Sequence, residues 1–141
     1  MKKRVLVILA ILIGAALIGI AVWWVSPKVF LDDVVAERVD RIEVFDGSTG
    51  QSFTVTHEEE IAYIVSNIQS IKTKKDELSS GYDGCRFYLN FYDRAGKKLD
   101  SFILNSADTI RSDPFFYRAE HGVFCVDFLQ ALEEEMPLYH E

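Results

Sequence analysis

The distribution of apolar and polar positions splits the chain into two unequal parts. From Val5 to Val25, "VLVILAILIGAALIGIAVWWV", 21 consecutive positions carry no charge. About 20 apolar residues in a helix cross a hydrocarbon core of roughly 30 Å, so this run predicts a transmembrane helix. Lys2, Lys3 and Arg4 precede it, whereas residues 26–39 set Lys28 and Arg38 against Asp32, Asp33 and Glu37. The basic excess on the N-terminal side predicts a cytoplasmic N-terminus and an extracytoplasmic C-terminal part. Trp23 and Trp24 mark the outer headgroup zone, and Ser26-Pro27 ends the helix. A cleaved signal peptide is the rival reading, but it calls for a shorter apolar run ending in small residues. This run ends in Ala-Val-Trp-Trp-Val. Ala10/Gly14 and Ala15/Gly19 have the spacing that lets helices approach, against a background in which Gly and Ala are common in such segments.

Beyond the anchor the period changes. Residues 26–39 mix apolar and charged positions and predict a juxtamembrane stalk; an α+β domain then occupies 40–141. Ile42 and Val44 alternate with Glu43 and Phe45, "DGSTG" supplies turn residues, and Phe53 and Val55 alternate with Ser52 and Thr54: a hairpin. Ile61, Ile64, Val65, Ile68 and Ile71 recur at helical spacing. Thr56 with Glu59 reads as a capping box, and Glu58–Glu60 suits the positive end of the helix dipole. "KTKKDELSSGYDG" predicts a loop. Cys85, Phe87, Leu89 and Phe91 alternate with Arg86, Tyr88, Asn90 and Tyr92 in the clearest strand, which "DRAGK" turns into a partner at 98–104. "DTIRS" and "FFYRAE" suggest two short strands. Phe124, Phe128, Leu129, Leu132 and Met136 form a last amphipathic helix, stopped by Pro137. The order predicts an antiparallel sheet of four to six strands with two helices packed on one face.

In element order over 40–136, and in the ending "FFYRAE…VDFLQAL", the chain resembles the small membrane-anchored or lipid-anchored extracytoplasmic domains of Gram-positive bacteria. The resemblance implies topology and architecture, and it implies no catalytic residue.

Charge narrows the partners. The 15 basic residues less the three at 2–4 leave 12 against 22 acidic, a net charge of −10 outside the membrane. Such a domain repels nucleic acid and other polyanions. The expected partners are membrane lipid through Val5–Val25 and another membrane or envelope protein. "KDEL" at 75–78 is internal and carries no retention meaning.

Candidate chemistry is sparse. "HEEEI" begins like a zinc-protease helix, but the residue four after His57 is Ile61, which cannot ligate a metal. His57 then becomes a surface residue of the first turn. His121 and Cys125 have one-turn spacing without a second ligand pair, and His140 lies in the tail. Phosphate loops, nucleophile elbows, C-x-x-C pairs and calcium-loop spacing are missing from the sequence. No cofactor or metal is expected, and no catalytic residue is singled out. Two function classes remain. One is a non-catalytic binding or regulatory module held at the membrane. The other is an envelope-acting hydrolase or thiol enzyme, whose paired acids would be a tertiary fact.

For the first class the expected binding surface is Arg86, Tyr88 and Tyr92 on the open side of the sheet, with Phe45 beside them, since Tyr and Arg are enriched in interface hot spots. The bland alternative is an ordinary sheet face stabilised by cross-strand aromatics. Cys85 and Cys125, the only two cysteines, are expected either to pair, which would stabilise the fold by about 4 kcal/mol in the chain-entropy model, or to stay buried as free thiols.

Overall fold

The computed structural model describes residues 1–136; Pro137 and His140 lie outside them. The chain forms α1 (Lys2–Val25), β1 (Lys28–Val29), a 3-10 turn (Ala36–Arg38), β2 (Arg41–Asp46), β3 (Gln51–Val55), α2 (Glu58–Gln69), β4 (Lys72–Leu78), β5 (Phe87–Tyr92), β6 (Lys98–Ser106), β7 (Thr109–Ser112), β8 (Phe115–Ala119) and α3 (Val126–Glu135). The class is α+β. The sheet is a single antiparallel one in the order β1-β4-β8-β7-β6-β5-β2-β3. It has eight strands rather than four to six.

The extra strands come from stretches with no strand period. The sequence predicts a loop where β4 lies, because Lys72, Lys74, Lys75, Asp76 and Glu77 crowd it. It is a strand because β8 satisfies its backbone from Thr73 to Leu78, while β1 caps its other edge at Thr73 and Lys72. Only Thr73 is fully buried there, so long charged stems cover both sides and erase the alternation. The expected stalk is likewise part of the domain. Phe30 and Leu31 are 2% and 1% exposed, and Phe30 packs on Phe102 and Tyr117 at 5.1 Å. Leu31 sits at φ 61°, a left-handed conformation unfavourable for a branched residue. Gln69 holds that turn, donating 2.6 Å bonds to the carbonyls of Leu31 and Val34.

The core follows from alternation on the central strands. Ile42, Val44, Phe53, Val55, Phe87, Leu89, Phe91, Phe102, Leu104 and Ile110 meet Ile61, Ile64, Val65 and Ile68 of α2 and Leu129 and Leu132 of α3. Asn67 joins the two helices. Its Nδ2 donates to the Val123 carbonyl at 3.1 Å, and its Oδ1 accepts from the Cys125 N–H at 2.9 Å. Tyr63 and Phe128 stack beside this joint at 4.6 Å. The capping box does not form. α2 starts at Glu58, so His57 is the N-cap without a side-chain bond, and Thr56 lies outside the helix. The three glutamates still occupy the first turn.

α1 is one helix of 24 residues, long and apolar enough to cross a membrane, with none of its spanning window buried by protein. Its last turn meets the domain. Trp23 and Trp24 lie edge-on to Phe115 at 5.6 and 5.4 Å, and Lys75 Nζ donates to the Trp23 carbonyl at 3.0 Å.

Candidate binding surface

Register decides which side chains gather on the open side of the sheet. Phe45 lies opposite Tyr88, Tyr88 opposite Ile103, Ile103 opposite Arg111, and Arg111 opposite Phe116. Directly opposed residues share a face, so these five form one row across β2, β5, β6, β7 and β8. Phe45 is 40% exposed, and Tyr88 and Ile103 are half-buried. The other end of the row is covered by the segment joining β4 to β5. Tyr82 packs edge-on against Phe116 at 5.1 Å, and Arg111 Nη1 donates to the Gly84 carbonyl at 3.2 Å. Arg111 also grips Asp113 with two bonds, of 2.8 and 3.3 Å. That contact and a bond from the Ser79 hydroxyl hold the Asp113 carboxyl below its ordinary value. A side chain at Gly84 would collide with the Tyr82 ring, which explains a glycine where the strap bends over the sheet.

Of the expected surface residues, Phe45 and Tyr88 are adjacent in this row. Tyr92 lies on the same strand two pleats away, under the Arg41 guanidinium at 4.3 Å and near Lys98 at 5.7 Å. Arg86 does not join the face. β5 begins at Phe87, so Arg86 precedes the pleat and swings to the helix side. There it lies 3.6 Å from the buried Asp46 carboxylate and donates to Gln130 of α3 at 3.3 Å. Ile103, Arg111, Phe116 and Tyr82 were missed by sequence reasoning. For Ile103 the cause is a bulge between Phe91 and Tyr92; the other three join the row through pairings and contacts between distant segments. Extrapolated from the Tyr92–Lys98 pair, a regular hairpin puts Phe102 opposite Tyr88; the bulge slips the pairing by one residue, burying Phe102 and turning Ile103 outward. Aromatic Phe115-Phe116-Tyr117, buried on three successive positions, was the only available signal that both faces of β8 are covered.

Asn90 is on this face between Glu43 and Ser101, and its Oδ1 is buried without a hydrogen-bond partner among the described residues.

A second gathering of titratable groups sits where α3 meets the β2–β3 turn. Asp46 is fully buried; its Oδ1 accepts from the Ser48 N–H at 2.6 Å, and its Oδ2, without a hydrogen bond among the described residues, lies 3.6 Å from Arg86. Glu133 accepts from the Thr49 hydroxyl at 2.7 Å. Burial and the neighbouring Asp46 push the Glu133 carboxyl up, against the Thr49 bond and Arg86, which pull it down. A half-open cleft of 770 Å³ lies elsewhere, between the 3-10 turn, the start of α2 and the β5–β6 turn. Glu37, Asp40, Glu58, Glu59 and Asp93 line it against Arg38 and Arg94, and no residue of the aromatic row reaches it.

The cysteines are both free. Of the two expected outcomes, pairing or free thiols, the structure has the second. Cys85 lies with its backbone against Gly47, next to the Arg86 that reaches Gln130. Cys125 is at the start of α3, its N–H bonded to Asn67. Burial pushes the Cys125 thiol up to about 12. Burial also raises the Cys85 thiol, with Arg111 opposing it. His121 is exposed, unlike Cys125.

Comparison of the chain with protein-family models, with curated proteins and with solved structures returned no match.

Proposed function

We propose that the protein is a single-pass membrane protein with a cytoplasmic N-terminus and an acidic extracytoplasmic domain that acts as a non-catalytic binding module. On this reading it sits with the small membrane-anchored domains of Gram-positive bacteria that its layout resembles. Its partner is another membrane or envelope protein, and the contact is the open half of the aromatic row: Phe45, Tyr88 and Ile103. The row itself is the observation that carries this reading. An apolar strip on a solvent-facing sheet has the composition of an interface centre. Anchoring adds effective concentration, so even a weak contact is used often.

The alternative is an envelope-acting hydrolase or thiol enzyme. A catalytic thiol needs a lowered pKa, and both thiols here are raised. The Asp46–Glu133 pair has a perturbed acid, but Asp46 is 0% exposed, so no substrate reaches it.

The test is capture of envelope proteins by the detergent-solubilised full chain, compared with Phe45→Ala/Tyr88→Ala. Two interface aromatics at about 2 kcal/mol each predict a loss of capture of at least tenfold for any partner using this face. Unfolding curves establish that the variant is folded. A folded double variant that captures the same proteins as well as the parent chain excludes the row as the contact.

A further inference from the structure

The domain has no stalk to hold it clear of the membrane, and its contacts with α1 set its direction. Lys75 of β4 meets Trp23, Thr73 pairs with Lys28, and Lys72 pairs with Val29. As the chain leaves α1, from 23 to 28 to 29, its partner on β4 steps back from 75 to 73 to 72. β4 therefore runs against the outgoing chain. Its first residues are far from the membrane and its last residue, Leu78, points back toward it. Between Lys75 and Leu78 the ladder with β8 is irregular, so the end of β4 stays near the level that Lys75 has reached. Lys75 is already level with Trp23, which marks the headgroup zone.

Leu78 is 59% exposed and Tyr82, four residues on in the strap, is 44% exposed. Both are among the few large apolar side chains outside α1 left open to solvent. Phe115, paired with Leu78 across the ladder, already touches both tryptophans of α1. Apolar side chains thus follow one another from the end of α1 through Phe115 to its ladder partner Leu78. We infer that the end of β4 and the strap after it form a membrane-resting edge, with Leu78 and Tyr82 seated in the outer headgroup layer beside the emerging helix. Leucine gains from the apolar boundary, and tyrosine suits a site with one wet and one apolar side. The contact is with the bilayer as an apolar boundary rather than with anionic headgroups. Asp76 and Glu77 immediately precede Leu78, Asp83 follows Tyr82, and the cations near them are already engaged: Lys75 with the Trp23 carbonyl, Arg111 with Asp113 and Arg118 with Asp76. This edge would tilt the aromatic row to a fixed height above the bilayer, within reach of a partner that barely protrudes.

The inference rests on α1 remaining as a membrane anchor, and the experiment separates the two. The full chain carrying Leu78→Cys and Cys85→Ser is labelled in its folded form with an environment-sensitive fluorophore; buried Cys125 stays unreacted. It is placed in phosphatidylcholine vesicles, with and without phosphatidylglycerol, doped with headgroup-level nitroxide lipid. Thr54→Cys with Cys85→Ser, on the strand at the opposite edge of the sheet, is the reference. The expected result is a blue-shifted label at 78, quenched about twofold or more above the label at 54, equally in both vesicles. Tyr82→Cys provides the same readout should Leu78→Cys fail to fold. Equal quenching at the two edges overturns the inference. So does a signal that disappears when protein is diluted in lipid, since that marks a second copy of the chain as the occupant. Alkaline carbonate extraction of the same vesicles reports on the anchor. Protein that remains in the membrane with an unquenched label defeats the edge alone, whereas extracted protein defeats the anchor and the edge together.

Discussion

Arg86 shows how one residue's environment overrides its place in a pattern. Strict alternation with Tyr88, Asn90 and Tyr92 puts it on the open face, yet its guanidinium turns to the carboxylate of Asp46, which is 0% exposed. A buried carboxylate with few donors costs more than any exposed contact of Arg86 could return, so the arginine goes where the charge is. Arg86→Ala should therefore destabilise the domain by about 1–3 kcal/mol, because the buried Asp46 carboxylate loses the cation beside it, and should leave partner capture unchanged in the folded fraction. Denaturant midpoints measure the first effect and the capture assay the second. Loss of capture without loss of stability would return Arg86 to the interface. Phe45 and Tyr88 behave differently: neither has a buried partner to claim it, and both stay where the pleat puts them.

At the level of elements, hydrophobic period served well where one face was buried and the other wet. The β2–β3 hairpin, α2, β5 and α3 were legible because Ile42/Val44, Ile61/Ile64/Val65/Ile68, Phe87/Leu89/Phe91 and Leu129/Leu132 each mark one side. β4 was illegible because its strand character is conferred by β8 through backbone bonds, which have no side-chain signature. α3 carries a further consequence at its C-terminal half, where Glu133 meets Thr49 and Asp46. A carboxyl raised in the folded state keeps a proton that the unfolded chain has released. Its contribution is complete below the ordinary value of 4.5 and is lost as pH rises through the folded value. Glu133→Gln removes that titration. Stability measured by urea unfolding should fall less for the variant than for the parent chain as pH rises above 4.5. Parallel pH dependences would show that Glu133 is not strained by its site.

For the whole molecule, the boundary between the apolar helix α1 and the domain lies at Ser26 rather than near Asp40. Phe30 and Leu31 are core residues, β1 closes the outer edge of β4, and Gln69 spends its amide on this segment. A chain beginning at Ser26 should fold in solution, whereas one beginning at Asp40 should lose about 3 kcal/mol or more, the scale of removing a single large core side chain. Circular dichroism and thermal unfolding of the two chains decide this. Equal stability would restore residues 26–39 to the status of a stalk. The contact of Trp23 and Trp24 with Phe115 also joins the end of α1 directly to the domain.

The sequence by itself determined the apolar span, the acidic character of the domain beyond it, the α+β class and the inward faces of the strongest elements. Each of these depends on the side chains of one contiguous stretch. Tertiary structure alone decided the rest: the strand made of lysines, the core residues hidden in an apparent stalk, the free thiols, and the row from Phe45 to Phe116. These depend on pairing between distant segments. Whether Ile103 or Phe102 faces Tyr88 turns on a single bulge, and whether Arg86 joins the open face turns on a carboxylate 40 residues earlier in the chain. Such one-residue offsets leave composition and period unchanged, which is why the open row could be seen only once the strands were laid side by side.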